Sequence, residues 1–398
     1  MYGFICSDII VRKSMKKRLP ILFMLFCCMA ELLALQPYAI SGTVVDEKGQ
    51  PLEYASVFLV QSMKGTVTNS EGNFSIICKT EQDTLVVTYL GYEKYHERIT
   101  PTTQTCLIQL KKRYLALGEV AVHSLSAQEL LQAALKKIPD NYEQRPFLAK
   151  TYYRGKATEN DEITYIQEAA LDIVKSYKPG ANDDYYLIKN RYFRMDADDK
   201  LQYKGIGGQY DYVGNARKEF GKRFFRTNSI QYLPSTTFDN RMVYVLVVCP
   251  AKDEIITESR AHEMKIYIDA EDYAFVRFEY KMDDVSDIFT QYKKIEDRYF
   301  LISGRQKHTQ RFYSFSGTGL TYRTMYGEST MITTDIRYNV SKSEIKGVSI
   351  DNSKRLETYD AQPDDSLFWK EHNGLLPDSS VIDAIRVYER KQRIVNSW

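Results

Sequence analysis

The chain has 398 residues, with 54 basic and 52 acidic side chains and a net charge of +2. This length allows two or three domains with substantial cores. The charges are balanced and form no block of one sign, so nothing indicates nucleic-acid binding. Tyrosine is abundant, with 31 residues against two tryptophans, which favours β structure because tyrosine packs well on half-buried strands.

The N-terminus has the pattern of a secretory signal. Residues 16–18 are basic, and residues 19–30 carry no charge. This apolar run fits a signal peptide and is short for a membrane span, and Ala34 offers a small residue for cleavage. We therefore predict that residues 1–34 are a signal peptide and that the protein is exported to the periplasm or outer membrane of a Gram-negative-type bacterium. A retained N-terminal anchor is the alternative.

Three cysteines follow the predicted cleavage point: Cys78, Cys106 and Cys249. Cys78 and Cys106 fall in neighbouring predicted strands, so they could form a disulfide in an oxidising compartment. They could equally be two small buried thiols. No Cys-x-x-Cys pair occurs, so redox and zinc-cluster functions find no support.

Residues 40–110 alternate short apolar runs with turn residues. Gly49 and Gly72 each end a polar turn and suit a positive φ. Repeated strands at intervals of roughly ten residues predict a β-sandwich. The predicted strands are 40–46, 56–61, 72–79, 84–89, 96–99 and 106–110.

This segment resembles the carboxypeptidase-regulatory-like domain, a transthyretin-like β-sandwich. The matching positions are Gly42, Val44, Asp46, Gly49, Pro51, Leu52, Ala55, Val57, Gly65, Thr66, Gly72, Phe74, Leu85, Gly91 and Tyr92. The resemblance implies an exported module that acts as a spacer or docking unit.

The family name comes from metallocarboxypeptidases, so a zinc peptidase must be considered. Such chemistry needs closely placed histidine and carboxylate ligands and a base to activate water. The histidines are scattered along the chain, and none begins a His-x-x-Glu or His-Glu-x-x-His pattern. They are His96, His123, His262, His308 and His372. We therefore predict no metal site and no cofactor.

A helix is predicted after the sandwich. Ser126 and Glu129 form a capping box, in which each side chain satisfies a backbone donor of the other residue. Pro139 is expected to end the helix. The apolar face consists of Leu130, Leu131, Ala134, Leu135 and Ile138.

Residues 146–345 have the pattern of antiparallel β structure. The clearest hairpin joins 264–269 to 275–280, because apolar side chains alternate along both segments. Further strands are predicted at 148–156, 242–249, 299–308 and 330–338. A helix followed by long amphipathic strands resembles the periplasmic lipoprotein-carrier fold, a half-barrel over one or more helices. That resemblance implies that an apolar cavity beneath the sheet would favour lipid or lipoprotein carriage.

The C-terminal region is predicted to be helical again. Residues 365–369 are interpreted as a docking segment, and a helix is predicted after Asp378. Its apolar stripe consists of Val381, Ile382, Ile385 and Tyr388.

Three segments resemble binding loops without their full pattern. Residues 205–208 are glycine-rich, but no Lys-Ser or Lys-Thr follows them as a phosphate loop requires. Residues 182–184 and 196–199 could bind calcium, but they lack the distal glutamate of a complete site. We interpret them as a flexible loop and two solvated turns.

Aromatic residues could line a ligand cavity or a sugar platform, although strand aromatics usually pack in a core. They are Tyr152, Tyr153, Tyr185, Tyr186, Tyr210, Tyr212, Phe224, Phe225, Phe312 and Tyr313. Five basic residues surround three phenylalanines, which indicates either a membrane-facing loop or an ordinary solvated basic face. The residues are Arg217, Lys218, Lys222, Arg223 and Arg226 with Phe220, Phe224 and Phe225.

These patterns predict a mainly β protein with a transthyretin-like β-sandwich, a larger antiparallel β domain and flanking helices. A half-barrel is the candidate form of the larger domain. The predicted division is a signal peptide (1–34), the regulatory-like sandwich (38–112), a linker and capped helix (113–145), the antiparallel β domain (146–345), and a docking segment with a helix (346–398).

The predicted function is that of a non-catalytic cell-envelope protein. We expect a binding or scaffold module that engages an outer-membrane protein, a lipid or a glycan. The alternative is an envelope hydrolase whose site assembles from dispersed residues of the β domain. No catalytic, cofactor-binding or metal-binding residue is predicted.

Overall fold

The computed structural model describes residues 37–103, 105–115, 124–195, 211–251, 262–283, 285–316, 319–341, 343–351, 353–359, 368–369, 372 and 374–395. The chain is mainly β, as predicted. A small N-terminal sandwich precedes a large curled sheet, and helices flank that sheet.

The N-terminal β-sandwich has two sheets, in the orders β4-β1-β7 and β3-β2-β5-β6. Ile40, Val44, Phe74 and Leu85 are fully buried in its core. All six predicted strands are present. The additional strand β3 contains only four residues, one of them Gly65, so it lacks a readable alternation. The strands are β1 (Tyr38–Val45), β2 (Ser56–Leu59), β3 (Lys64–Val67), β4 (Asn73–Cys78), β5 (Asp83–Thr88), β6 (Tyr95–Ile99) and β7 (Cys106–Gln109).

Cys78 and Cys106 are free thiols, so the disulfide that the sequence leaves open is absent. The reason is the strand order, because β1 lies between β4 and β7. Cys78 pairs with Tyr38 on one side of β1, and Cys106 pairs with Gly42 on the other. Strands two positions apart are separated by about 10 Å, beyond the roughly 7 Å between Cα atoms that a disulfide can span.

The large sheet is antiparallel throughout and curls into a half-barrel. Its order is β11-β12-β13-β14-β15-β16-β17-β8-β9-β10-β18. The predicted hairpin is present as β13 and β14, with Met264 opposite Tyr280 and Ile266 opposite Phe278. The strands are β8 (Phe147–Glu159), β9 (Glu162–Lys175), β10 (Asp184–Arg194), β11 (Asn228–Phe238), β12 (Arg241–Pro250), β13 (His262–Asp269), β14 (Phe275–Met282), β15 (Ser286–Ile295), β16 (Arg298–Ser316), β17 (Gly319–Tyr338) and β18 (Val348–Ile350).

Two short helices precede the large sheet. α1 (Ala127–Lys136) and α2 (Ile138–Asn141) follow the sandwich. The predicted capping box is present: Ser126 N donates to Glu129 Oε2 at 2.8 Å, and Glu129 N donates to Ser126 Oγ at 3.3 Å. Pro139 was expected to end this helix, but α1 already ends at Lys136 and Pro139 lies in the first turn of α2. That position suits proline, because its missing N–H has no helical partner there.

Further helices lie in the later part of the described chain. α3 (Ala216–Glu219) and α4 (Lys222–Thr227) connect to β11, and α5 (Ser379–Val395) is C-terminal. Asp378 caps α5 by accepting a hydrogen bond from Val381 N at 2.9 Å. Three residues of the predicted stripe, Val381, Ile385 and Tyr388, pack against the large sheet, with the rings of Tyr388 and Phe193 5.6 Å apart.

The two-residue period of β8 gives the large sheet an inner and an outer face. Phe147, Ala149 and Tyr153 belong to the inner core, which also contains the apolar side of α1. Tyr152 packs on the outer face against residues of the sandwich and Trp369. Trp369 belongs to the predicted docking segment 365–369, of which residues 368 and 369 are described.

A buried ionic ladder crosses the outer face. Arg154, Glu168 and Arg191 lie opposite one another on β8, β9 and β10. Glu168 accepts hydrogen bonds from Arg154 at 2.7 Å and from Arg191 at 2.6 Å. The Arg154 guanidinium also donates to the carbonyl oxygens of Leu375 at 2.6 Å and Leu376 at 3.2 Å. The ladder therefore fixes the segment that leads into α5 against the sheet.

A second contact holds the sandwich to the β11–β12 turn. Gly91 N donates to the carbonyl oxygen of Thr237 at 2.7 Å. The Asp239 carboxylate forms ion pairs with the Lys94 ammonium at 2.8 Å and with the Lys293 ammonium at 3.3 Å. Burial lowers the pKa of Lys293, and the nearby Asp239 carboxylate opposes part of that lowering. Strand β3 of the sandwich also pairs with β17 of the large sheet, with Lys64 opposite Asp335.

Gly49 and Gly72 have φ angles of +77° and +76°, in agreement with their predicted turns. Their surroundings differ. A Cβ atom at Gly49 would meet no heavy atom within 4 Å, whereas one at Gly72 would lie 2.5 Å from the carbonyl oxygen of Val44.

Alanine substitutions at these two glycines distinguish the cost of backbone strain from the cost of steric overlap. We expect Gly49→Ala to lower the free energy of unfolding by about 1 kcal/mol, the cost of a left-handed backbone. Gly72→Ala should lose about 2 kcal/mol more, because β1 must move away from the new methyl group. Urea unfolding monitored by circular dichroism measures both values. Equal losses in the two variants would contradict the close approach at Gly72.

Candidate binding cleft

A cleft of about 510 Å³ opens beside the inner core of the large sheet. Three segments form it: the end of α1 with α2, the loop after β9, and residues 213–220 around α3. Its apolar walls consist of Leu135, Ile138, Pro139, Tyr177, Pro179, Ala181, Val213, Ala216 and Phe220. We refer to it as the inner cleft.

Contacts between aromatic rings support the walls of the inner cleft. Phe220 is buried, and its ring lies 5.0 Å from that of Phe224 and 6.0 Å from that of Phe278. Tyr142 is fully buried, donates to the carbonyl oxygen of Phe275 at 2.7 Å, and lies 5.2 Å from the Tyr177 ring. These contacts fix the wall positions without a ligand.

A polar chamber of about 310 Å³ adjoins the inner cleft and shares Tyr177 and Ala181 with it. It contains Lys175, which is buried and bonded to the carboxylates of Asp183 and Asp211, the latter at 2.9 Å. Burial alone would lower the pKa of Lys175, but the two carboxylates raise it well above its usual value. The lysine is therefore charged and already paired.

Asp211 is held by several donors. Tyr292 donates its hydroxyl to Asp211 Oδ1 at 2.8 Å, and Gly214 N donates to the same oxygen at 2.9 Å. The ion pair with Lys175 thus links β9 to the segment that forms one wall of the inner cleft. This arrangement fits a structural role beside the inner cleft.

The rim of the inner cleft is cationic. Lys136, Lys178 and Lys218 line it and are exposed. Among the residues that the structure describes, no carboxylate lines the inner cleft itself. An amphipathic ligand with an anionic end would therefore find apolar walls and positive charge in adjacent positions.

The segment of basic and aromatic residues next to this rim is a solvated basic face. Phe224 and Phe225 pack against the inner core, while Lys222, Arg223 and Arg226 are exposed. Because the phenylalanines point inwards, the described part of this segment does not support the membrane-facing alternative. For Arg217, only the backbone is described.

The other candidate residues do not assemble into one site. Tyr153 and Tyr185 lie in the inner core, while Tyr152 lies on the outer face. Tyr212 stacks on Phe278 with 4.9 Å between ring centroids. Residues 196–199, 205–208, His123 and Tyr210 lie outside the described residues, and the side chains of Phe312 and Tyr313 are not described.

The four described histidines lie on separate elements: β6, β13, β16 and the segment before α5. Within the described ranges, no three histidine, cysteine or acidic residues are arranged to hold a metal ion. Asp183 of the predicted turn 182–184 faces Lys175 and forms an ion pair.

These features define a β-sandwich joined to a half-barrel with an inner cleft, and comparisons with known proteins agree with the first part. Residues 40–122 match the model of the CarboxypepD_reg-like domain. The N-terminal module is therefore a domain of this type, as the sequence predicted. A comparison with curated proteins finds no match. In the described part of the chain, every helix is too short or too polar to cross a membrane.

Solved structures that match this chain have little sequence in common with it. A DUF1329 family protein from Desulfovibrio piger shares 9% identity over 56% of this chain and 99% of that protein, with a TM-score of 0.26. A LolA superfamily protein from Nitrosomonas europaea shares 13% over 56% and 98%, with a TM-score of 0.24. A putative membrane-associated protein of unknown function from Bacteroides fragilis shares 13% over 76% and 99%, with a TM-score of 0.15.

The ion pair beside the inner cleft can be tested by an isosteric change. We expect Asp211→Asn to lower the free energy of unfolding by about 3 kcal/mol, because it leaves the buried charge of Lys175 with one partner fewer. Asp184→Asn is the matched control, since Asp184 is exposed. Urea unfolding of both variants gives the comparison. Similar stability of the two variants would show that the pair does not hold this wall.

Proposed function

We propose that the protein is a non-catalytic cell-envelope protein that binds an amphipathic ligand in the inner cleft. The observation that carries this proposal is the juxtaposition, in one opening, of apolar walls and a cationic rim whose described lining contains no carboxylate. The apolar chain of the ligand would occupy the cleft, and its anionic end would lie beside the exposed lysines.

The size and rigidity of the inner cleft support this function. Its volume of about 510 Å³ lies within the range of roughly 300–1,000 Å³ that is usual for small-molecule sites. The aromatic rings behind Phe220 and Tyr177 are already in place. Ligand binding would therefore cost little free energy for the ordering of side chains.

The charge distribution favours an anionic ligand over a neutral one. The carboxylates of the polar chamber form ion pairs with Lys175, so they add little electrostatic repulsion against an anionic ligand at the mouth. Lys136, Lys178 and Lys218 have no carboxylate beside them in the cleft lining. A fatty acid or an acylated molecule with an acidic head fits this pattern, and an outer-membrane lipid is the source we propose.

The non-catalytic part of the proposal rests on the distribution of reactive groups. The described histidines lie on four separate elements, and Lys175 of the polar chamber is paired with two carboxylates. The alternative, an envelope hydrolase, would need a nucleophile or activated water beside a base, and no described group in the inner cleft is placed for this.

Displacement of a fluorescent fatty acid tests the ligand class. Palmitate should bind to the delipidated mature chain, and Ala181→Trp should weaken it at least tenfold by filling the mouth, where Ala181 is exposed. Ala39→Trp is the matched control, because Ala39 is exposed on β1 of the sandwich. Replacing all three rim lysines with glutamine should weaken palmitate binding by about tenfold, at roughly 0.5 kcal/mol for each exposed charge, and leave hexadecanol binding nearly unchanged.

Two results would contradict the proposed function. One is palmitate binding that Ala181→Trp leaves intact. The other is an equal loss of affinity for palmitate and hexadecanol in the glutamine variant, since that would show that the rim charges do not contribute to binding.

The envelope location is a separate part of the proposal. Expression of the full chain in a Gram-negative host, followed by fractionation and N-terminal sequencing, should give a periplasmic or outer-membrane protein that begins near residue 35. An uncut chain in the cytoplasm would refute export and would leave the cleft experiment valid.

A further inference from the structure

The outer face of the large sheet is open beyond the sandwich, where it forms a groove of about 450 Å³. Four adjacent strands, β15, β16, β17 and β8, supply its floor as a row of opposed residues: Asp287, Lys307, Glu328 and Lys156. Glu328 lies 3.2 Å from Lys156 and 3.8 Å from Lys307. We refer to this site as the outer groove.

An exposed aromatic ring lies beside this charged row. Tyr326 is two residues before Glu328 on β17, so the two side chains share the outer face. It is 52% exposed, and threonines 158 and 309 are its partners on the neighbouring strands. A ring of this kind offers a flat apolar surface with hydrogen-bonding groups around it.

The outer groove continues to the junction with the sandwich. A second cavity of about 210 Å³ shares Lys156, Lys307 and Glu328 with it and adds Glu53 and Ser70 from the sandwich. Burial raises the pKa of the Glu53 carboxyl. Clefts between domains are common ligand sites, and this one contains both donors and acceptors.

The chemistry of the lining limits the ligand class. Asp161, Asp283, Asp287 and Glu328 outnumber Lys156 and Lys307 in the outer groove, which disfavours an anionic ligand. Apart from Val285, Gly327 and Tyr326, the lining residues are polar or charged, which disfavours an acyl chain. A neutral ligand with many hydroxyl groups matches paired carboxylates and ammonium groups next to an aromatic ring.

We propose that the outer groove binds a neutral oligosaccharide, with Tyr326 stacking on a sugar ring and Glu328 and Lys307 bonding its hydroxyl groups. The proposal does not depend on the function of the inner cleft, because the two sites lie on opposite faces of the large sheet.

Saturation-transfer NMR on the mature chain tests this site, with chitotriose and maltotriose as probes. At least one trisaccharide should receive saturation from the wild-type protein. Tyr326→Ala should weaken that binding by about tenfold, the upper range for a stacked aromatic contact, and Tyr326→Phe should retain it. Glu328→Gln should weaken it several-fold.

Tyr192→Ala is the matched control, because Tyr192 is also partly exposed, at 41%, but lies on β10 away from the outer groove. Equal urea midpoints would establish that the variants are folded. The proposal is overturned if neither trisaccharide binds or if Tyr326→Ala binds as well as the wild type. It is also overturned if a lysine tripeptide alone occupies the groove, since the site would then recognise cations.

Discussion

The carboxylate of Glu168, buried between Arg154 and Arg191, is the interaction on which the arrangement of this molecule depends. Burial alone would raise the pKa of Glu168, but the two guanidinium groups lower it, so the group remains ionised. Arg154 uses its remaining donors to hold the carbonyl oxygens before α5. Loss of Glu168 would leave the buried charge of Arg154 without its carboxylate, and loss of Arg154 would remove the attachment of the C-terminal segment.

This attachment assigns different roles to the two faces of one sheet. The outer face of β8 and β9 is covered by the sandwich and the C-terminal segment, which leaves the outer groove as its open part. The inner face packs against α1 and closes around the aromatic core. The inner cleft is the place where this core reaches the surface, so a ligand there would contact the core without disturbing the junction between the domains.

Much of the fold can be predicted from the sequence, and the exceptions have physical reasons. The turn glycines, the Ser126 capping box and the β13–β14 hairpin are local signals, and all are present. Strand β9 was missed because it is buried on both faces and contains Gln-Glu-Ala-Ala-Leu at residues 167–171, a run of strong helix formers that the tertiary context overrides. The inner cleft was missed because its walls come from three distant segments. Lys175, at the end of an apolar strand, is a local signal that could have pointed to the polar chamber beside the inner cleft.

The most direct test of the account is the location of a bound amphiphile. A crystal structure of the mature protein with a bromine-labelled fatty acid would show the ligand chain by anomalous scattering. We predict bromine peaks between α1 and residues 213–220, with the carboxylate close to Lys136, Lys178 or Lys218. Bromine peaks confined to the outer face, or an inner cleft that stays empty at saturating ligand, would contradict the proposed function.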